Sequence, residues 1–405
     1  MGYFKDTLKG VGWMTALRGS TRLLAIVKIA ILARLLTPSQ FGVYGIALLV
    51  LGFLEVLTET GINILLIQEK DDTQSYLDSA WFVSIIRGIL VSAVILLSIP
   101  AAVFFFHTPS VRPLLYIVAG VAFTRGFINP MEITFQKNLQ FMKEFFLQGG
   151  LFIIDGLTAV IVGLATRSEI SMVIGMLVAA VIEVILSFVI FKVRPRFSFD
   201  KEKFLKVLNK GKWITGAGIF SYAFQNIDNI IVGKFLGTAP LGFYQQAYSI
   251  STMPVSEVGK IFNKVTFPVY VRIGEDRKRL KAAFLKTLGV IVLLVATFGA
   301  VILIFPRPLI LIFLGAGWLS IEPVLKVLAV FGVLKSVLNF GYSVFLALKM
   351  QKIVMLSELF GIIGMGIVIY PMVMKYGVLG AGYSTIIAFT CSLPVVIYGL
   401  KKVFK

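Results

Sequence analysis

The reading turns on one stretch: Thr15-Ala16-Leu17-Arg18-Gly19-Ser20-Thr21-Arg22-Leu23-Leu24-Ala25-Ile26-Val27-Lys28, followed in the next apolar segment by Glu55, Thr58, Glu59 and Asn63. Both segments are aliphatic enough to cross a bilayer, yet both carry charge. At about 100° per residue, with Arg18 as zero, Thr15, Thr21, Arg22 and Lys28 fall at about 60°, 300°, 40° and 280°. They share one helical face. Glu55 and Glu59, spaced i, i+4, also share one. Charge in a bilayer core costs several kcal/mol unless it meets a partner or a wet cavity, so one-faced placement points to a functional surface.

Composition agrees with a membrane setting. The chain of 405 residues is 58% hydrophobic and 15% charged, against about 45–50% and 25% in soluble domains. It reads as an all-α, multi-pass membrane protein. Windows of about 20 apolar residues predict twelve spans: 13–36, 40–67, 80–106, 112–136, 145–166, 169–192, 211–236, 240–270, 282–305, 321–348, 353–375 and 377–400. The start, with Lys5, Asp6 and Lys9, lacks a signal-peptide pattern. Single Cys391 and His107 residues exclude an internal disulfide and disfavour a Cys/His metal site.

Alternate loops divide the cations unevenly. Twenty-three Lys and Arg fall on the side of the N-terminus and four, Arg112, Arg167, Arg307 and Lys375, on the other. The positive-inside rule therefore places both termini in the cytoplasm. The net charge of +19 is that bias together with lipid-headgroup contact, and implies no nucleic-acid partner. Between the sixth and seventh spans, 193–210 mixes Phe and Leu with cations and suits an amphipathic linker on the inner leaflet. The expected organisation is a six-helix bundle over 1–192, this linker, and a second six-helix bundle over 211–405.

An internal repeat supports two halves. A shift of 200 places Arg34, Leu36, Gly42, Tyr44, Ala47 and Asn63 on Lys234, Leu236, Gly242, Tyr244, Ala247 and Asn263; a shift of 210 places Pro113, Leu115, Ala119, Arg125 and Asn129 on Pro323, Leu325, Ala329, Lys335 and Asn339. Six helices per half is an even number, so the halves share an orientation, as in transporters that hold substrate between parallel repeats.

The candidate site follows from depth. Lys28 and Glu55 lie near the midplane, and Arg18, Arg22 and Glu59 in the inner half, at about 1.5 Å of rise per residue. Glu59 is expected to pair with Arg18 or Arg22, with Glu55 as a second charge partner. The surplus of cations would attract an anion. The plain alternative is that the arginines snorkel to headgroups and the glutamates merely neutralise neighbours. Arg125 and Lys335 join the cationic set because they correspond across the repeat. In the second half, Ser221, Gln225, Asp228 and Asn229 share one face, a polar lumen or ion-coupling site, with Asp228 the one acid able to carry a proton or help bind Na⁺. The alternative there is an Asp satisfied by Asn and Gln neighbours or by Lys260 or Lys264. Arg87, Asp155, Glu183, Lys326 and Glu358 stay unplaced. Pro130, Pro254, Pro268, Pro371 and Pro394 suit kinks.

Arg34-Leu35-Leu36-Thr37-Pro38-Ser39-Gln40-Phe41-Gly42-Val43-Tyr44, Gly61-Ile62-Asn63 with Ile67-Gln68, Phe135 to Phe141, and Leu241-Gly242-Phe243-Tyr244 with Ala247-Tyr248 resemble the oligosaccharide flippase (polysaccharide transporter) family of the multidrug/oligosaccharidyl-lipid/polysaccharide exporter superfamily. Gln40 stands where that family usually has an acid, and Gln136-Lys137 where Arg is common. The resemblance implies two six-helix bundles around a V-shaped central cavity, and movement of an isoprenoid-diphosphate-linked oligosaccharide from the inner to the outer leaflet of a bacterial or archaeal plasma membrane. Its implied partners are that lipid, the bilayer, and a glycan polymerase or glycosyltransferases; a monomer is expected. No cofactor is expected beyond H⁺ or Na⁺ coupling. Arg22 and Lys28, with Arg18, would meet the diphosphate. Rival readings are a multidrug or small-solute antiporter of the same fold, which would call for an acidic, aromatic cavity, and a membrane glycosyltransferase or polymerase, which would call for a large outer loop or paired acids.

Overall fold

The computed structural model describes residues 2–57, 73–191, 193–195, 218, 221, 222 and 225–404, the side chains of residues 2–11, 73–76, 254, 256, 260, 261 and 263–265 excepted. Every regular element among the described residues is helical, as the composition requires. Contacts divide the chain into two compact units, Met1–Asn226 and Ile227–Lys405. The division falls inside the expected seventh span. Apart from 193–195, the expected linker lies outside the described residues.

In the first unit, α1 (Gly2–Leu35) turns into α2 (Pro38–Leu57) through a reciprocal cap. The Thr37 backbone N–H donates to Gln40 Oε1 at 2.8 Å, and the Gln40 N–H donates to Thr37 Oγ1 at 3.4 Å. Pro38 occupies the first helical position, where its missing N–H costs nothing. Gln40 also donates from Nε2 to the Arg167 carbonyl at 2.9 Å, a bond that an ionised acid at this position could not make. The departure from the family pattern is thus chemically coherent.

Next come α3 (Thr73–Phe106), α4 (Val111–Arg125), a 3₁₀ turn at Pro130–Glu132, α5 (Ile133–Lys137), α6 (Phe141–Thr166) and α7 (Ile170–Ile190). Helix α4 is the centre of this unit: Val111, Leu114, Leu115, Val118 and Val121 are fully buried beneath α2, α3 and α7.

The second unit repeats the plan. Helix α8 (225–236), whose first two residues belong to the first unit, leads through Gly237 into α9 (Thr238–Arg272), then α10 (Arg277–Ile304), a short α11 (Pro306–Phe313), a 3₁₀ turn (Ala316–Ile321), α12 (Glu322–Ala347), α13 (Gln351–Tyr376) and α14 (Val378–Phe404). The buried centre is α12, packed by α9, α10 and α14. Phe340 stacks on Phe284 with ring centroids 5.6 Å apart. Leu115 and Leu325, paired by the repeat, are both wholly buried. So are Ala47 and Ala247.

Seven described helices are long and apolar enough to cross a membrane, eight if one bent pair counts as a span. The expected twelve are not reached by that test. Helices α1, α9 and α12, which carry much of the polar chemistry below, fall outside it. The bent pair is the expected fourth span: α4 and the segment Pro130–Lys137 meet at 71°. Pro130 thus marks a break, whereas Pro254, Pro268, Pro371 and Pro394 lie inside continuous helices. The break is pinned by Asn129, wholly buried. Its side chain accepts from the Met131 N–H at 3.1 Å and donates to the Val193 carbonyl at 3.0 Å, while its own N–H donates to Ser187 Oγ at 3.1 Å. Just before the break α3 and α4 cross backbone to backbone. A Cβ on Gly88 would lie 2.8 Å from Gly126 Cα, and one on Gly126 would lie 3.0 Å from Gly88 Cα.

Gly88→Ala and Gly126→Ala are each expected to lower the melting temperature in detergent, at an overpacking cost of about 1–3 kcal/mol. Gly149→Ala, whose added methyl meets nothing within 4 Å, is expected to hold it. Equal melting temperatures for all three variants would contradict the crossing.

Candidate functional site

The cationic face of α1 divides. Arg18 and Arg22 are exposed, whereas Lys28, at the far edge of the arc, is turned inward. Its Nζ lies 2.6 Å from Asp155 Oδ2 on α6, with the two side chains only 13% and 15% exposed. Asp155 fits because α7 has no side chain opposite it: a Cβ on Gly175 would stand 2.7 Å from Oδ1. Tyr44 of α2 is within electrostatic reach of the same carboxylate. Lys28 is therefore an internally neutralised cation. Asp155 carried no sequence signal beyond being an intramembrane charge; its partner is 127 residues away.

Glu55 pairs across to α4. Arg125 Nη1 lies 3.4 Å from Glu55 Oε1, and Arg87 of α3 donates to the Glu55 carbonyl at 3.0 Å. Both side chains of the ion pair are more than two-fifths exposed, so the bond is worth about 1 kcal/mol or less. Its contribution is orientation. Glu59 lies outside the described residues, as do the side chains of Lys260 and Lys264.

Arg87, Arg125 and Glu55 form part of the wall of a cavity of about 360 Å³ in the first unit, completed by Glu132, Gln136, Glu144 and Gln148 from beyond the α4 break. Gln136 Nε2 donates to Glu144 Oε1 at 2.8 Å. Where Arg is common in the family, this Gln holds a carboxylate with a neutral donor.

The polar face expected over 221–229 is split by the division of the chain. Ser221 and Gln225 belong to the first unit and bond each other, Gln225 Nε2 to Ser221 Oγ at 2.8 Å. Between them Tyr222 donates to the Leu49 carbonyl at 2.8 Å. Asp228 and Asn229 belong to the second unit. Asp228 is 5% exposed and well satisfied: Tyr244 OH donates to Oδ2 at 2.7 Å and Asn229 Nδ2 to Oδ1 at 3.0 Å. Lys335 is within electrostatic reach. Its Nζ donates to Tyr248 OH at 2.9 Å and sits 5.5 Å from the ring centroids of both Tyr248 and Phe331, positions suited to cation–π attraction.

Asp228 and Lys335, assigned different tasks from the sequence, thus belong to one network. Tyr244 and Tyr248, quoted there only as part of a motif, are its hydroxyl donor and acceptor. The shift of 200 that pairs Tyr44 with Tyr244 also pairs Lys28 with Asp228. The two halves place opposite charges at corresponding positions, and each charge is answered from within its own unit.

Comparison with known proteins agrees with this architecture. The lipopolysaccharide biosynthesis protein WzxC of Escherichia coli strain K12 is 26% identical over 348 residues, covering 84% of this chain and 69% of that protein. The teichuronic acid biosynthesis protein TuaB of Bacillus subtilis strain 168 is 25% identical over 85% of this chain and 71% of its own length. Among solved structures, lipid II flippase MurJ in its inward closed conformation matches with a TM-score of 0.75 at 15% identity, over 96% of this chain and 88% of that one. An inward-facing multidrug resistance MATE transporter of the MOP superfamily matches with a TM-score of 0.68 at 14% identity, over 95% and 94%. These two likenesses establish the fold shared by MurJ and MATE transporters, and with it a multi-pass membrane protein. Residues 31–323 match the family described as polysaccharide biosynthesis protein, and the chain belongs to that family.

Proposed function

We propose that the protein is a flippase: it carries an isoprenoid-diphosphate-linked oligosaccharide from the cytoplasmic to the outer leaflet of the plasma membrane by alternating access, for a cell-surface polysaccharide. The supporting observation is the divided face of α1, where Arg18 and Arg22 stay exposed on a helix of membrane length while Lys28 is neutralised by Asp155. Two guanidiniums spaced i, i+4 offer planar, bidentate donors to a diphosphate. A carrier of organic cations would expose carboxylates there instead. The family membership and the polysaccharide pathways named for its relatives favour the same substrate class.

In this reading Arg125, half-exposed and oriented by Glu55, and Lys335 in its aromatic setting extend the anion-binding set. Gln225 and Ser221 supply hydrogen bonds for sugar hydroxyls. The lipid tail stays in the bilayer. Both termini lie in the cytoplasm, the cycle is driven by a cation gradient of H⁺ or Na⁺, and a glycan polymerase or glycosyltransferases act on either side of the transport step. The protein performs no bond chemistry of its own.

Two outcomes are expected. Reversing Arg18 and Arg22 to Glu together should lower surface polymer at least tenfold, about 1.4 kcal/mol, with the protein still inserted at normal level. Unchanged polymer would remove the α1 face from the substrate path. Asp155→Asn should destabilise the protein by about 3–5 kcal/mol, because it leaves the Lys28 ammonium buried without its counter-charge. Adding Lys28→Met to that variant should restore most of the melting temperature. A wild-type melting temperature in Asp155→Asn alone would show the pair to be dispensable.

A further inference from the structure

The acids that line the cavity at the break in the fourth span, beside Arg125, are unaccounted for by anion binding. The repeat shows what the cavity displaces. A shift of 210 aligns Pro130 with Phe340 and Glu132 with Tyr342. In the second unit α12 runs unbroken through these positions: Phe340 is wholly buried against Phe284, and Tyr342 OH bonds Ser357 Oγ at 2.9 Å. The first unit instead interrupts its central helix, bends by 71° and opens about 360 Å³ lined with charge. Broken backbone at membrane depth is tolerated where it lines a wet cavity, and such breaks build the ion sites of carriers.

Two carboxylates on this wall are incompletely satisfied. Glu132 Oε1 and Glu144 Oε2 are each wholly buried and accept no hydrogen bond from any described residue. Glu132, on the 3₁₀ turn, is within electrostatic reach of Glu144 on α6 and Glu183 on α7. The remaining charged groups facing the cavity are Glu55 of α2, Arg87 of α3 and Arg125 of α4. Of these, Arg125 is engaged by Glu55 and is also within electrostatic reach of Glu183, which Gln148 hydrogen-bonds, and Arg87 donates to the Glu55 backbone. Glu132 and Glu144, each with an unmatched buried oxygen, cannot both stay ionised at low cost. A single proton relieves the mutual repulsion.

We propose that this cavity is a proton-loading site, with Glu132 taking a proton from water at the inner end of the first unit and returning it to water later in the cycle. Glu144 is the neighbouring anion that favours loading. Gln136 positions Glu144. The site rests on the carrier reading above and makes H⁺ the coupling ion. It also locates coupling in the half that lacks Asp228, whose own oxygens are already supplied by Tyr244 and Asn229.

The test is infrared difference spectroscopy on the purified full-length protein in lipid vesicles, stepping the buffer from alkaline to acidic pH. A protonated-carboxyl band should rise on acidification in the wild type and be absent in Glu132→Gln. Glu132→Asp, which keeps the carboxyl one methylene back, should retain the band at a displaced frequency. It serves alone if the Gln variant does not fold. A band unchanged by Glu132→Gln, or undisplaced by Glu132→Asp, overturns the proposal. No substrate enters this measurement, so such a failure leaves the flippase reading standing. Conversely, an unchanged surface polymer in the Arg18/Arg22 reversal bears on that reading and not on the proton site.

Discussion

The low dielectric of the bilayer governs this structure. An ionised group there is costly unless it is matched locally, and three matches among the described residues each form within one unit. Lys28 is met by Asp155 at 2.6 Å, Arg125 by Glu55 at 3.4 Å, and Asp228 by the hydroxyl of Tyr244 at 2.7 Å with Lys335 nearby. Each match ties together two or more helices of one bundle. Arg18 and Arg22, by contrast, are exposed on α1.

Local backbone chemistry sets the frame on which these matches are made. The reciprocal Thr37–Gln40 cap starts α2, and Gln40's second bond, to the Arg167 carbonyl, ties the α1–α2 turn to the α6–α7 turn. Asn129 and Pro130 stop α4 short of its apparent length. The Gly88–Gly126 contact brings α3 close enough for Arg87 to reach the Glu55 carbonyl. In the second unit the corresponding helix continues, and aromatic packing around Phe340 fills the place of the cavity. The repeat is therefore a shared scaffold on which the two units have taken different chemistry: charged and open in one, aromatic and closed in the other.

Much of this was legible in advance. Apolar windows marked most of the described helices, whereas the chain divides at Asn226, inside the expected seventh span. The candidate residues were visible as misfits of composition, but their pairing was not. Helical periodicity assigned Lys28 to the same face as Arg18 and Arg22, although it sits about 80° from the one and 120° from the other. That offset is enough to turn it onto α6. Glu55 read as a partner for the neighbouring helix because sequence proximity was the only guide, and the Arg125 that meets it is 70 residues away.

What the amino-acid sequence by itself determined is what depends on short-range rules: the membrane setting, most of the helices and the family motif. These follow from hydropathy, periodicity and turn chemistry, which act over a few residues. Tertiary structure alone decided which acid answers which base, that the polar face from Ser221 to Asn229 straddles two units, and that the break at Asn129 opens a cavity. Those outcomes are set by the angle and depth at which distant helices cross, and the energy of a charge in a membrane depends on what that crossing brings within a few ångströms of it.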